Sequence, residues 1–260
     1  MLLAITRTVS PAIEQCEVTF AAPGPIDHQR ASSQHSAYES ALRNAGCAIE
    51  HLPAVDHHPD GVFVEDTALV LDEIAVITRP GAISRRGEVE SVASLLARYR
   101  PIARIVSPGT LDGGDVLVSG KLVYVGCSGR SNADGIRQLE AIIAPLGYQL
   151  DTVAIQDCLH LKSAATLIGD RLILADPSRV DATAFSGHEI IQVAEGEGDA
   201  ANALRIGDLV LLSAAGQRTR ERLAARGLKT TTVANDELAK ADGGLTCCSL
   251  LLKLDPQTER

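Results

Sequence analysis

Apolar positions follow two rhythms along the chain. Val89, Val92, Leu95, Leu96 and Tyr99 recur at i, i+3, i+6, i+7 and i+10, and Ile136, Leu139, Ile142, Ile143 and Leu146 repeat that spacing. Each set lies on one face of a helix with 3.6 residues per turn. Elsewhere two short apolar runs flank a turn of Gly, Asp or Lys: residues 67–78 (TALVLDEIAVIT), 115–126 (DVLVSGKLVYVG), 165–176 (ATLIGDRLILAD) and 203–214 (ALRIGDLVLLSA). These predict β-hairpins. A helix-like stretch, a Gly or Pro stop and a β-rich run occur in that order five times, with stops at Gly46, Pro101, Gly147, Gly187 and Gly227, spaced 55, 46, 40 and 40 residues apart. The recurring unit is hairpin, helix, strand, and a unit of that size cannot bury its apolar faces alone. Several must close around a common centre, with the run 246–253 (TCCSLLLK) and the opening MLLAIT completing the ring. The pattern predicts an α/β fold, a five-bladed pseudo-symmetric α/β propeller; an open α/β sheet is the competing reading.

Composition narrows the class. With 260 residues, 45% hydrophobic and 22% charged, the chain is long enough for a large core and is not intrinsically disordered. No Pro, Ser, Gly or like-charge run marks a linker, so residues 1–260 read as a single domain. The 33 acidic against 24 basic residues give a net charge of −9, which argues against nucleic-acid and membrane partners. No stretch approaches the roughly 20 apolar residues of a membrane span. The apolar opening meets Arg7 and Pro11 too soon for a signal-peptide core, so the expected location is cytoplasmic. Cys16, Cys47, Cys127, Cys158, Cys247 and Cys248 then read as reduced thiols, and without a CxxC or HExxH pattern no protein metal site is expected.

Four segments bring reactive groups to strand ends or turns. Residues 60–66 (DGVFVED) hold Asp60, Glu65 and Asp66 around Phe63. On an extended strand Glu65 and Asp66 point to opposite faces unless the strand has ended or bulged. Residues 111–115 (LDGGD) present Asp112 at the rim of a tight glycine turn. In residues 158–164 (CLHLKSA), strand alternation sends Leu159 and Leu161 to the core and His160 away from it. Residues 243–249 (GGLTCCS) carry Cys247 and Cys248, which on a strand face opposite ways, so one addresses a pocket while the other packs. Taken singly, each segment is equally at home as an inert strand end, a turn or a pair of small buried hydrophobes.

Together and in this order, the segments resemble those of the dimethylarginine dimethylaminohydrolases, members of the guanidine-modifying (pentein) superfamily of five-module α/β propellers. The likeness runs almost end to end, through RTVSPAI, QHSAYESAL, PDGVFVEDTALV, ITRPGAISRRGE, PGTLDGGDVL, RSNADG, LHLKS, AAN and DGGLTCCS. It implies that Cys247 is the nucleophile, His160 the general acid and base, and Asp112 the residue that orients His160. It also implies that Asp60, Glu65 and Asp66 surround a guanidinium, that Phe63 lines its pocket, and that Arg85 and Arg130 hold an α-carboxylate. Val18 and Gly244 match positions that meet the amino-acid end through backbone. Some relatives carry Glu where Asp112 stands, which makes its reach to His160 a distance to check.

The implied reaction is hydrolysis of Nω-methylated arginines, asymmetric dimethylarginine and monomethylarginine, to citrulline and dimethylamine or methylamine. It passes through a covalent thiouronium on Cys247 and requires no metal or organic cofactor. The expected partner is thus a small-molecule substrate, with a homodimer admitted. Lys162 gives the HLK of these hydrolases where arginine and agmatine deiminases carry HxD or HxE. Methylation removes donors from a guanidinium, so fewer carboxylates suit the methylated substrate. An arginine deiminase-like hydrolase of unmethylated arginine and a non-catalytic propeller binding protein are the alternatives. The Gly- and Pro-rich loop 20–30 (FAAPGPIDHQR) is expected to act as a lid over the amino-acid end.

Overall fold

The computed structural model describes residues 1–22 and 24–254. The chain opens with β1 (Leu2–Arg7), α1 (His28–Asn44) and β2 (Cys47–Leu52). Next come β3 (Ala68–Val70), β4 (Ala75–Ile77), α2 (Val89–Leu96) and β5 (Ile102–Arg104), then β6 (Val116–Ser119), β7 (Leu122–Cys127), α3 (Ala133–Ile143) and β8 (Gln149–Ala154). The fourth module holds the one-turn α4 (Leu161–Ala164), β9 (Ala165–Gly169), β10 (Leu172–Ala175) and β11 (Glu189–Gln192). The fifth holds β12 (Leu204–Ile206), β13 (Leu209–Ser213), α5 (Gln217–Ala225) and β14 (Lys229–Val233), and the chain returns through α6 (Asp236–Ala239) and β15 (Leu250–Lys253).

These strands form five three-stranded sheets of one design: an antiparallel pair, then a third strand parallel to the second. The sheet that joins the two ends of the ring takes its first strand from the far end of the chain. There β15 runs antiparallel to β1 with Leu252 opposite Leu3, and β1 runs parallel to β2. The expected five-bladed propeller and its closure are both present, and every stop from Gly46 to Gly227 precedes the third strand of a sheet. Gly46 and Gly147 take φ of 91° and 82°, a left-handed conformation that ends the preceding helical segment at little cost to glycine. The fourth module departs from the repeat. Before Gly187 it has only a 3₁₀ turn, Ala182–Ala184, because Pro177, Ser178 and Asp181 stand where the other modules carry a longer helical run.

The core is divided into five clusters, each shared by neighbouring modules. Leu3 and Ile5 pack with α2 and β4, whereas Ala4 between them packs with α1 and β12. The other inner strands behave alike: Val116 faces one neighbour and Leu117 the next. A sheet buried on both faces reads as a continuous apolar run instead of an alternating one, which is why these strands are so uniformly Leu, Ile and Val. Among the described residues no helix is long and apolar enough to cross a membrane.

Candidate active site at the propeller axis

Each inner strand is entered by one tight turn, and the predicted reactive residues sit on those turns. Residues 59–67 form two successive 3₁₀ turns, Pro59–Val62 and Val64–Thr67, leading into β3. Asp112 precedes the 3₁₀ turn Gly113–Asp115 before β6, His160 is the residue that opens α4 before β9, and Thr246–Cys248 is a 3₁₀ turn before β15. None of these residues lies on a strand, so the alternation expected for them does not apply. Glu65 and Asp66 are both buried, as are His160 and Leu161, and Cys247 and Cys248. Asp112, expected at a rim, has no exposed surface.

The turns bring His160 and Asp112 together. His160 Nε2 lies 3.0 Å from Asp112 Oδ2, and Asp112 Oδ1 accepts the Gly81 N–H at 2.8 Å. The other ring nitrogen, Nδ1, is 3.8 Å from Asp66 Oδ1, which accepts the Gly114 N–H at 2.9 Å. A Cβ on Gly114 would stand 2.7 Å from both that carboxylate oxygen and His160 Nδ1, so only glycine lets ring and carboxylate rest on this backbone. Asp115 accepts from Ser128 and Ser131 hydroxyls and from the Leu161 N–H, tying the Arg130 loop to the segment after His160. Burial alone depresses an imidazolium, but Asp66, Asp112 and Asp115 outweigh it and hold His160 up at about 9. Cys247 goes the other way. Burial first, then Glu65 and Asp66, push its thiol well above the ordinary value, against a Gly244 N–H that donates to Sγ at 3.3 Å. The resting pair is therefore a thiol and an imidazolium, and the two are not hydrogen bonded to each other.

Two cations brace the acids. Lys162 Nζ donates to Glu65 Oε1 at 2.7 Å and to the Gly113 carbonyl at 3.3 Å. Arg85 Nη1 donates to Asp66 Oδ2 at 2.6 Å, and its remaining nitrogens donate to Glu88 and to the carbonyls of Phe63 and Asp60. Arg85 thus lies deeper than the expected α-carboxylate role requires; protein acceptors engage each of its nitrogens, and its contacts describe a counter-ion that fixes Asp66. Arg130 is the half-buried guanidinium at the mouth. It donates to Thr19 Oγ1 at 3.3 Å and lines, with Glu17, Phe20, Gly81 and Leu159, a surface cavity of about 420 Å³. Val18, exposed, belongs to the same covering segment. Phe63 is buried against Gly243, where a Cβ would strike its ring, and Gly244 lies against Asn202. Burial raises Asp60 to about 6 despite Arg85, and its carboxylate accepts the Glu17 N–H.

Sequence reasoning did not find what holds residues 17–21 over this mouth. The Asp242 carboxylate accepts three successive N–H groups, from Thr19, Phe20 and Ala21, at 2.6, 3.0 and 2.6 Å. The signal was an Asp before a glycine pair, which reads locally as a turn. The expected lid, residues 20–30, includes position 23, which lies outside the described residues. Asp66, Asp112 and His160 each offer a ligand atom within 4.8 Å of the others. The carboxylate oxygens are already engaged by Arg85, Gly114, Gly81 and His160, so an ion would have to displace those bonds.

A cysteine, a histidine and paired acids on turns around a five-bladed axis define the guanidine-modifying class of propeller hydrolases. No protein-family model matches the chain. It is 38% identical over 229 residues to the N(G),N(G)-dimethylarginine dimethylaminohydrolase of Pseudomonas aeruginosa, covering 87% of this chain and 90% of that one. It is also 38% identical over 251 residues to that of Streptomyces coelicolor, covering 96% of each. The chain belongs to the dimethylarginine dimethylaminohydrolase family. The solved Pseudomonas aeruginosa structure, a Cys-to-Ser mutant complexed with citrulline, matches with a TM-score of 0.92 at 36% identity, over 96% of this chain and 98% of that one. The N-terminal domain of ArgZ, a cyanobacterial arginine dihydrolase, shares the fold at 20% identity and a TM-score of 0.83, over 97% of each chain.

Proposed function

We propose that this chain hydrolyses Nω-methylated arginines to citrulline and the corresponding methylamine, with Cys247 as nucleophile, His160 as general acid and base, and Asp112 orienting His160. The observation that carries the reading is the position of Asp66, whose carboxylate borders His160 Nδ1 at 3.8 Å and also opposes ionisation of Cys247. A guanidinium entering beside Asp66 and Glu65 neutralises the charge that holds the thiol protonated, so binding itself favours the thiolate. The released proton goes to solvent. The thiolate adds to the central guanidinium carbon, forming a C–S bond; the C–N bond to the methylated nitrogen breaks as His160 Nδ1 donates its proton to the departing amine. His160, now neutral, takes a proton from water, whose oxygen adds to the same carbon. The C–S bond then breaks, giving citrulline and free Cys247. Asp60 stands with Glu65 and Asp66 around the guanidinium, Arg130 meets the α-carboxylate, and residues 17–21 exclude water from the covalent step.

The test is to incubate the protein separately with asymmetric dimethylarginine, monomethylarginine and arginine and to measure citrulline. Faster turnover of the methylated compounds is expected, together with a covalent adduct on Cys247 that Cys247→Ser abolishes. Turnover of arginine alone, or substantial turnover by Cys247→Ser, refutes the proposal.

A further inference from the structure

Four of the five axial turns carry groups assigned above. The fifth, the 3₁₀ turn Gly198–Ala201 ahead of β12, ends on Asn202, which has no role so far. Asn202 is 5% exposed, and its amide is divided between the segments that hold the two reacting residues. Oδ1 accepts the Thr246 N–H at 2.9 Å; Nδ2 donates to Thr246 Oγ1 at 3.0 Å and to the Lys162 carbonyl at 3.1 Å. Thr246 immediately precedes Cys247, and Lys162 follows His160 by two residues. A backbone N–H can only donate, which fixes which amide atom faces Thr246.

The bonds close on themselves. With Nδ2 as its donor, the Thr246 hydroxyl gives its own proton to Glu65 Oε2 at 2.6 Å, and Glu65 Oε1 accepts Lys162 Nζ at 2.7 Å. Lys162, Glu65, Thr246 and Asn202 thus form one ring in which each donor meets an acceptor, joining modules that are far apart in sequence. Glu65, Lys162 and Thr246 also line a cavity of about 310 Å³ shared with residues of the inner strands, so three members of the ring border open space. A Cβ on Gly244 would stand 2.3 Å from Asn202 Cγ, so glycine at 244 lets the nucleophile turn close on the amide.

We propose that Asn202 is a positioning residue of the reaction: through Thr246 and the Lys162 carbonyl it fixes the Cys247 turn against the His160 segment. This rests on Cys247 being the nucleophile and His160 the acid and base. Misplacing a reacting group by about 1 Å costs on the order of 100-fold, so Asn202→Ala is expected to lower kcat about 100-fold with KM within about 3-fold. Thr246→Val, which removes only the hydroxyl, is expected to lose kcat in the same way, and Thr246→Ser, which keeps it, to recover to within about 3-fold of wild type.

A folded Asn202→Ala with wild-type kcat, a loss confined to KM, or Thr246→Ser no better than Thr246→Val overturns the proposal. If Asn202→Ala does not fold, the Thr246 pair decides. A second measurement separates this proposal from the reading beneath it: the pH midpoint for iodoacetamide alkylation of Cys247, followed by mass spectrometry. That midpoint is expected to rise in Asn202→Ala, because the Gly244 N–H loses its place at the sulfur, and an unchanged midpoint overturns the positioning role. A wild-type protein that makes no citrulline refutes the assigned reaction, while the alkylation midpoint still decides what Asn202 holds.

Discussion

Replacing Asp112 by Asn tests the electrostatics of the site at one bond. The substitution keeps the shape of the side chain and removes the charge 3.0 Å from His160 Nε2, leaving Asp66 at 3.8 Å from Nδ1. A hydrogen bond to a charged group contributes about 1.5–3 kcal/mol, and one pH unit corresponds to about 1.4 kcal/mol. The His160 midpoint, about 9 in the native protein, should therefore fall by roughly 1–2 pH units. The sign for stability follows from the raised midpoint. Relative to an unfolded histidine near 6.5, the imidazolium contributes about 3 kcal/mol to folding below that pH, and the contribution disappears as pH rises through 9. The assay is NMR titration of the imidazole Cε1–H, assigned by loss of the signal in His160→Gln, with urea unfolding at pH 6, 8 and 10. Wild type should lose stability between pH 7 and 10, and Asp112→Asn should lose less over that range because less was gained. A wild-type midpoint near 6.5, or one that Asp112→Asn leaves in place, refutes the account of His160 as an imidazolium held by Asp66 and Asp112.

Two further outcomes test the mouth of the site. Arg130→Ala is expected to raise KM about 10- to 100-fold while kcat changes less than about 3-fold, since one charged contact to the substrate is lost; an unchanged KM shows that the α-carboxylate is held elsewhere. Asp242→Ala removes the acceptor of three backbone N–H groups and should raise KM and speed alkylation of Cys247 in the absence of substrate, each by about 10-fold. Alkylation at the wild-type rate means that Asp242 does not control access to the sulfur.

How much of this was legible in the sequence depends on how long each signal runs. The helix faces of Val89 to Leu96 and Ile136 to Ile143 and the four hairpins were readable because burial repeats over many residues with a period of 3.6 or 2. The axial turns are only three or four residues long, too short to show a period, so alternation places Glu65, His160 and Cys247 on strands that in fact begin three, five and three residues later. The glycine turn at 113–114 is present as expected, but a turn alone does not tell rim from interior, and the chain folds Asp112 fully buried against His160. Pairings such as Lys162 with Glu65, 97 residues apart, or Asp242 with Thr19, 223 apart, are made by ring closure alone and leave no local mark. Arg85 shows the limit of carrying a role over by position: the motif located the residue, and only its surroundings revealed that its donors are engaged by Asp66, Glu88 and backbone carbonyls.

The charges at the axis explain why the site waits for a cation. Asp60, Glu65, Asp66, Glu88, Asp112 and Asp115 are buried there, against Arg7, Arg85, Lys162 and His160. The acids outnumber the bases even with His160 protonated, and in a desolvated pocket an uncompensated negative charge is costly. The cost shows in the titrations: the Cys247 thiol stays protonated, and burial lifts Asp60 and Asp115 to about 6. In the proposed reaction a bound guanidinium supplies the missing positive charge, and ionisation of the thiol then becomes cheaper, because the charges of Glu65 and Asp66 that oppose it are offset. Lys162 sets the size of the deficit. An acid at that position would leave Glu65 without its cationic partner and add a further negative charge, which favours a guanidinium with all of its N–H donors; a lysine suits one in which methyl groups have replaced two of them.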